Sequence, residues 1–149
     1  MVYEAPVTWR EATLDDLATL GGMNHHLTLD EEHPIARDWP LERLTERMRE
    51  FLEGEYTAIL FEEDGEPVAY ALHKPDDDGS IHLRQFFVVR HRRREGLGRR
   101  AAALLINEIF PPDQRITLTA LCHNETALAF WKAMGFHEMF TAFERNPKS

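Results

Sequence analysis

Apolar residues along this chain change their spacing several times, and each change predicts an element. Val7 to Ala12 reads as a short strand. Thr13 with Asp16 three residues on forms a capping-box pattern, which opens a helix through Leu14, Leu17 and Leu20. Gly21-Gly22 loosens or ends that helix, and the polar, histidine-rich stretch from Met23 to Asp38 reads as loop or frayed helix. Pro40 starts a second helix with Leu41, Leu44, Met48 and Phe51 or Leu52 facing inward. Tyr56 to Phe61 and Pro67 to His73 are strands around Asp64-Gly65, a hairpin turn signal, and Asp76-Asp77-Asp78-Gly79 turns the chain into a strand over Ser80 to Val89. Leu97 to Phe110 is helical until Pro111-Pro112, Arg115 to Cys122 is a strand, Glu125 to Met134 a helix, and Phe136 to Phe143 a last strand. The predicted order is β-α-α-β-β-β-α-β-α-β.

The junction between the strand ending at Val89 and the helix opening near Leu97 carries the most chemistry. Positions 90 to 100 hold six arginines and one glutamate, in a chain whose formal net charge is −9. A basic, glycine-punctuated loop feeding a helix start has the build of a phosphate cradle: glycines admit an anion to the backbone, and the first free N–H groups and the helix dipole favour it. A P-loop would need Gly-Lys-Ser/Thr, which is missing. Gly96-Leu97-Gly98-Arg99-Arg100-Ala101 fits the dinucleotide fingerprint, but a polar loop separates it from Val89 and no acid ends the next strand. Arg93-Arg94-Glu95-Gly96-Leu97-Gly98 fits a third pattern, Arg/Gln-x-x-Gly-x-Gly/Ala.

Downstream, Asn124-x-x-Ala127-x-x-Phe130-Trp131-x-x-x-Gly135-Phe136 supplies a second motif. By spacing alone, Ala127, Phe130, Trp131 and Met134 share a helix face and Gly135 stops the helix. The two motifs together, in this order, resemble the GNAT superfamily of acyl-CoA-dependent N-acetyltransferases. The resemblance implies an α/β fold (α+β in some schemes) in which helices flank both faces of a mixed, mostly antiparallel central sheet. It implies that the Phe86 N–H meets the thioester carbonyl, that the Val88 backbone pairs with pantetheine, and that Arg93, Arg94, Gly96, Leu97, Gly98 and Arg99 take the pyrophosphate. Asn124, Phe130 and Trp131 would border the acyl-CoA.

Composition narrows the setting. A chain of 149 residues, 43% hydrophobic, suits a single domain over 1–149, and no apolar run is long enough to span a membrane. The first residues lack the pattern of a signal peptide, and the lone Cys122 permits no intrachain disulfide, so a cytoplasmic setting is expected. Outside the arginine island the chain is acidic, which argues against nucleic acid and anionic membranes as partners and would attract amines. The arginines also lack the interleaved aromatics of a base-stacking surface.

An amine has a pKa of about 10 and must lose a proton before it attacks a thioester. His82, six residues before Val88, falls where family members carry a Glu or His and is the candidate base. Strict alternation would put His82, Arg84, Phe86 and Val88 on one face. Many members place a Tyr where this chain has Trp131, whose indole has no proton to release. The leaving thiolate then departs as such or takes a proton through water, Cys122 or His123 serves instead, or the domain binds acyl-CoA with little turnover. Direct transfer without an acyl-enzyme is expected.

The acceptor site is expected between the first two helices, with His26, Glu31 and Trp39 as substrate-binding residues among several acids and histidines suited to a cation. No histidine spacing there matches zinc, so no metal is expected. The expected activity is acetyl transfer from acetyl-CoA to a primary amine, on a small molecule or a peptide. The alternative is a non-catalytic acyl-CoA or CoA sensor. Many relatives pair as homodimers.

Overall fold

The computed structural model describes residues 6–33, 38–93 and 96–148. Five strands, β1 (Val7–Glu11), β2 (Thr57–Glu63), β3 (Glu66–Pro75), β4 (Ile81–Val88) and β5 (Ile116–Leu118), form one sheet in sequence order. The first four pair antiparallel, and β5 runs parallel to β4. Asp64 and Gly65 join β2 to β3 with φ of 53° and 80°, the two positive values that a tight hairpin turn asks for.

Helices cover both faces, which is why the central strands are apolar in near-continuous runs such as Val68-Ala69-Tyr70-Ala71-Leu72. On one face, Ile59, Phe61, Ala69, Ala71, Ile81 and Leu83 pack against Leu97, Ala101 and Leu105 of α3 (Leu97–Leu104) and the wider helical turn Leu105–Ile109 that continues it. On the other, Ala58, Leu60, Tyr70, Leu72 and Phe87 pack against α1 (Leu17–Asp30) and Met48 of α2 (Leu41–Glu53). The last helix, α4 (Glu125–Ala133), brings Trp131 to the α3 side.

Four expectations need correction. Gly21-Gly22 does not end the first helix: α1 continues to Asp30, so of the two readings of 23–38, loop or frayed helix, the helical one holds over 23–30, while 34–37 lies outside the described residues. Gly21 serves packing instead, because a Cβ there would stand 2.9 Å from Thr45 Cβ and 3.1 Å from Thr45 Cα on α2. The strand expected over 115–122 is only Ile116–Leu118. The strand expected over 136–143 does not form: these residues pair with no strand among the described residues, and Met139, Phe140 and Phe143 remain exposed.

The fourth correction matters most for the site. Leu72 pairs with Gln85 but His73 pairs with Leu83, so Arg84 is an extra residue, a β-bulge in β4. The bulge resets the alternation. Ile81 and Leu83 share the α3 face with Phe86 and Val88, whereas His82 and Arg84 line a cavity on the α1–α2 side. The four residues expected on one face are split between two.

Candidate active site

The arginine loop meets α3 at Gly96, which caps the helix in the left-handed conformation at φ 75°. The first hydrogen bond in the helix runs from the Arg100 N–H to the Gly96 carbonyl. The N–H groups of Leu97, Gly98 and Arg99 therefore have no partner within the helix and point out of its positive end. A Cβ at Gly96 would meet nothing within 4 Å, and one at Gly98 would reach only van der Waals distance, 3.5 Å from Val88 Cγ2 and 3.6 Å from Phe130 Cε2. Val88, Gly98 and Phe130, far apart in sequence, thus converge on one spot.

The arginines are less free than their count suggests. Arg90 and Arg93 both bind Asp30 at the end of α1, at 2.8 and 2.7 Å, and Arg92 binds Glu63 at 2.8 Å. Burial works against the Asp30 carboxylate, yet the hydrogen bonds from the two arginines hold its pKa below the ordinary value. Arg93 also donates from Nε to the Val88 carbonyl at 3.1 Å. These bonds fasten the loop to α1 and to the end of β4. Arg94 lies outside the described residues.

Beyond Leu83 the ladder between β4 and β5 stops. The Val89 N–H donates to Val68 on β3 at 3.0 Å, so by the period of two the amides of Phe86 and Val88 face the opposite edge, which pairs with no strand among the described residues. Side chains of the second motif border that edge. The Phe86 ring lies 6.0 Å from Phe130 and 5.3 Å from Trp131, and Trp131 lies 5.3 Å from Phe136, all between ring centroids. Asn124 caps α4, its Oδ1 accepting the Ala127 N–H at 3.2 Å. That capping bond accounts structurally for the asparagine of the motif.

On the α1–α2 side, a cavity of about 340 Å³ opens between α1, α2, β4 and the segment after β5. His82 lines it, with Nδ1 3.2 Å from the Thr117 hydroxyl. Burial lowers the His82 pKa, outweighing the pull of Asp76, and so favours the neutral imidazole. Glu31 is the expected substrate residue that reaches the cavity, and burial, with Asp30 nearby, raises its pKa. His26 is exposed on α1 with its ring 6.5 Å from that of Phe87. Trp39 lies under the guanidinium of Arg43, 3.8 Å from the ring centroid. Cys122 is exposed, and His123 Nε2 is 3.2 Å from the Glu31 carbonyl.

Sequence reasoning missed a polar chain at the cavity. Arg47 donates to Asn24 at 3.2 Å, Asn24 donates to the Tyr70 hydroxyl at 3.2 Å, and that hydroxyl donates to Gln85 at 2.9 Å. Asn24, Arg47 and Gln85 line the cavity, and burial of Tyr70 keeps its phenol protonated. The signal was present: Arg47 interrupts the stripe Leu44, Met48, Phe51, and Asn24 the stripe Leu17, Leu20, Leu27, each at a position the pattern reserves for an apolar side chain. Among the described residues, no group of three or more His, Cys, Asp or Glu is placed to hold a metal ion, and no helix is long and apolar enough to cross a membrane.

The sheet with its free β4 edge, the helix-start cradle and the second aromatic motif together define an acyltransferase of the GNAT fold. The chain belongs to the acetyltransferase (GNAT) family, whose model matches residues 23–136. No curated protein matches the sequence. Among solved structures, the chain is similar to a "possible acetyltransferase" from Clostridium difficile 630, with a TM-score of 0.78, 18% identity, and coverage of 98% of this chain and 100% of that one. It is also similar to an aminoglycoside N-acetyltransferase solved in complex with CoA, with a TM-score of 0.75, 14% identity, and coverage of 100% and 99%. A predicted acetyltransferase from Clostridium acetobutylicum, solved with acetyl-CoA, gives a TM-score of 0.67, 18% identity, and coverage of 95% and 96%.

Proposed function

We propose that this chain moves an acetyl group from acetyl-CoA to a primary amine, on a small molecule or a peptide, by direct attack of the amine on the thioester in a ternary complex. The observation that carries this reading is the unpaired β4 edge, which has the α3 cradle at one end and the cavity with His82 at the other. Relatives solved with CoA and with acetyl-CoA support it. The residues also fit the group: three helix-start amides, an open Gly96 and a half-buried Gly98 leave room for a pyrophosphate against backbone.

When bound, acetyl-CoA supplies the activated acyl group. The N–H groups of Leu97, Gly98 and Arg99 would hold its phosphates, and the Val88 N–H, whose own carbonyl accepts from Arg93, would pair with the pantetheine arm. The Phe86 N–H, on the free edge of β4, would donate to the thioester carbonyl and stabilise its oxygen as negative charge develops. His82, held neutral by burial, takes the proton from the attacking amine. Trp131 has no acid to offer, so the thiolate leaves as such or is protonated by water. That same tryptophan favours the second reading, a CoA-binding sensor with little turnover.

Calorimetric titration with acetyl-CoA, with NADH and ATP as controls, tests the cradle. The wild-type chain is expected to bind acetyl-CoA and neither control. Gly96→Asp adds a carboxylate to the cradle and a Cβ at φ 75°, and is expected to weaken binding at least about tenfold. Unchanged affinity in a folded variant would remove the cradle from the site.

A further inference from the structure

Arg47 and Arg84 line the cavity from two different elements, α2 and β4. Neither has a carboxylate partner among the described residues, although Asp and Glu outnumber Lys and Arg by 26 to 17. Elsewhere, Arg10, Arg49, Arg90, Arg93 and Arg115 all reach acids. Arg47 and Arg84 are held instead by neutral groups. Arg47 donates to Asn24 at 3.2 Å, Arg84 donates to the Tyr56 hydroxyl at 3.1 Å, and their guanidinium carbons lie 5.4 and 4.9 Å from the centre of the same Phe51 ring. The Nε of Arg47 is buried and makes no hydrogen bond among the described residues. A buried guanidinium N–H without a partner is costly, and the Arg47 side chain that carries it lines the cavity.

The arginines also feel each other. Burial and the Arg84 charge both weigh against the charged form of Arg47, and burial, Arg47 and Arg84 together lower the pKa of His33 on the same wall. Glu31, the carboxylate of the cavity, forms an ion pair with neither arginine among the described residues. Two adjacent guanidiniums kept from acids, one with an unpaired buried donor, form a receptor for an anion.

We propose that the acceptor of the acetyl group carries a carboxylate besides its amine, and that Arg47 and Arg84 bind this carboxylate while the amine faces His82 across the same cavity. This rests on the acetyl-transfer reading above. It sets the acceptor apart from polycationic amines, which would bring ammonium groups against two guanidiniums.

The test measures thiol release with saturating acetyl-CoA across the twenty amino acids, their methyl esters, phosphoethanolamine and spermidine. At least one amino acid is expected to exceed its own ester in kcat/KM by about tenfold or more. Arg47→Gln should raise the KM for that acid at least about tenfold and erase its advantage over the ester, with acetyl-CoA affinity unchanged. Arg84→Gln, at an exposed side chain, should act in the same direction and stands in if Arg47→Gln does not fold. Turnover of esters or spermidine in preference to every acid overturns the proposal. So does acetyl-CoA binding without turnover of any amino acid. A preference for phosphoethanolamine overturns the carboxylate assignment and leaves an anion site for phosphate. If acetyl-CoA itself does not bind, the acetyl-transfer reading fails. In that case, an amino acid that raises the melting temperature of the wild-type chain and not of Arg47→Gln supports the anion site on its own, and no shift overturns it.

Discussion

Gly21 and Gly22 are neighbours in α1, and replacing each with alanine should change stability in opposite directions. In a helix interior, alanine is favoured over glycine by about 0.5–1 kcal/mol, because the unfolded chain loses less freedom on folding. At Gly22 the new methyl meets nothing within 4 Å, so the full gain should appear. At Gly21 the methyl would run into Thr45, whose hydroxyl is bonded to the Leu41 carbonyl at 2.8 Å and whose Cβ and Cα would stand 2.9 and 3.1 Å away. The hydroxyl can rotate, but the Cα moves only if α2 moves. Overpacking of this kind costs about 1–3 kcal/mol. Gly21→Ala should thus lose roughly 1–2 kcal/mol net, or about 2–8 °C in Tm for a chain of this size, whereas Gly22→Ala gains a few degrees at most. Urea titration with an unchanged m-value is the assay. If Gly21→Ala equals or exceeds wild type, close packing of α1 on α2 is not the reason for the glycine.

Two further outcomes probe the cavity. Tyr70→Phe removes a fully buried hydroxyl and orphans the Asn24 side-chain amide, 1% exposed, so thermal denaturation should show a loss of about 1–3 kcal/mol; a loss under about 0.5 kcal/mol would mean the polar chain contributes nothing. For His82, burial lowers the pKa, so the neutral base persists as pH falls and the acid limb of kcat/KM should lie below the ordinary histidine value of about 6.5; His82→Ala should abolish that limb, and an unchanged profile would return His82 to a structural role.

Much of the fold was legible because each helix had a stripe and each strand a boundary. Leu44 and Met48 marked the inner face of α2, and Asp64-Gly65 marked the hairpin, since both features act within a few residues. What failed depended on partners distant in sequence. Gly21-Gly22 reads locally as a helix breaker, and only the approach of Thr45 explains it. Residues 136–143 alternate like a strand, but a strand needs a ladder, and β5 ends at Leu118. The arginine island was legible as a basic loop, while its attachment to Asp30 and Glu63 was not, because those acids come from α1 and β2.

The bulge at Arg84 explains why the site was only half legible. Period-two reasoning places His82, Arg84, Phe86 and Val88 together, and one additional residue in β4 sends the first pair toward α1 and α2 and the second toward α3. The sequence does contain a trace of it: Ile81 and Leu83 alternate with polar residues, then Arg84-Gln85 puts two polar residues side by side before Phe86-Phe87-Val88. The physical consequence is that β4 presents different chemistry on its two sides. Its lower half offers His82 and Arg84 to a polar cavity, and its upper half offers backbone amides and aromatic rings beside the cradle. A strand with unbroken alternation would put His82 and Arg84 in the same compartment as Phe86 and Val88. The bulge separates them, so a charged acceptor and an acyl chain could approach the same unpaired edge from opposite faces of the sheet.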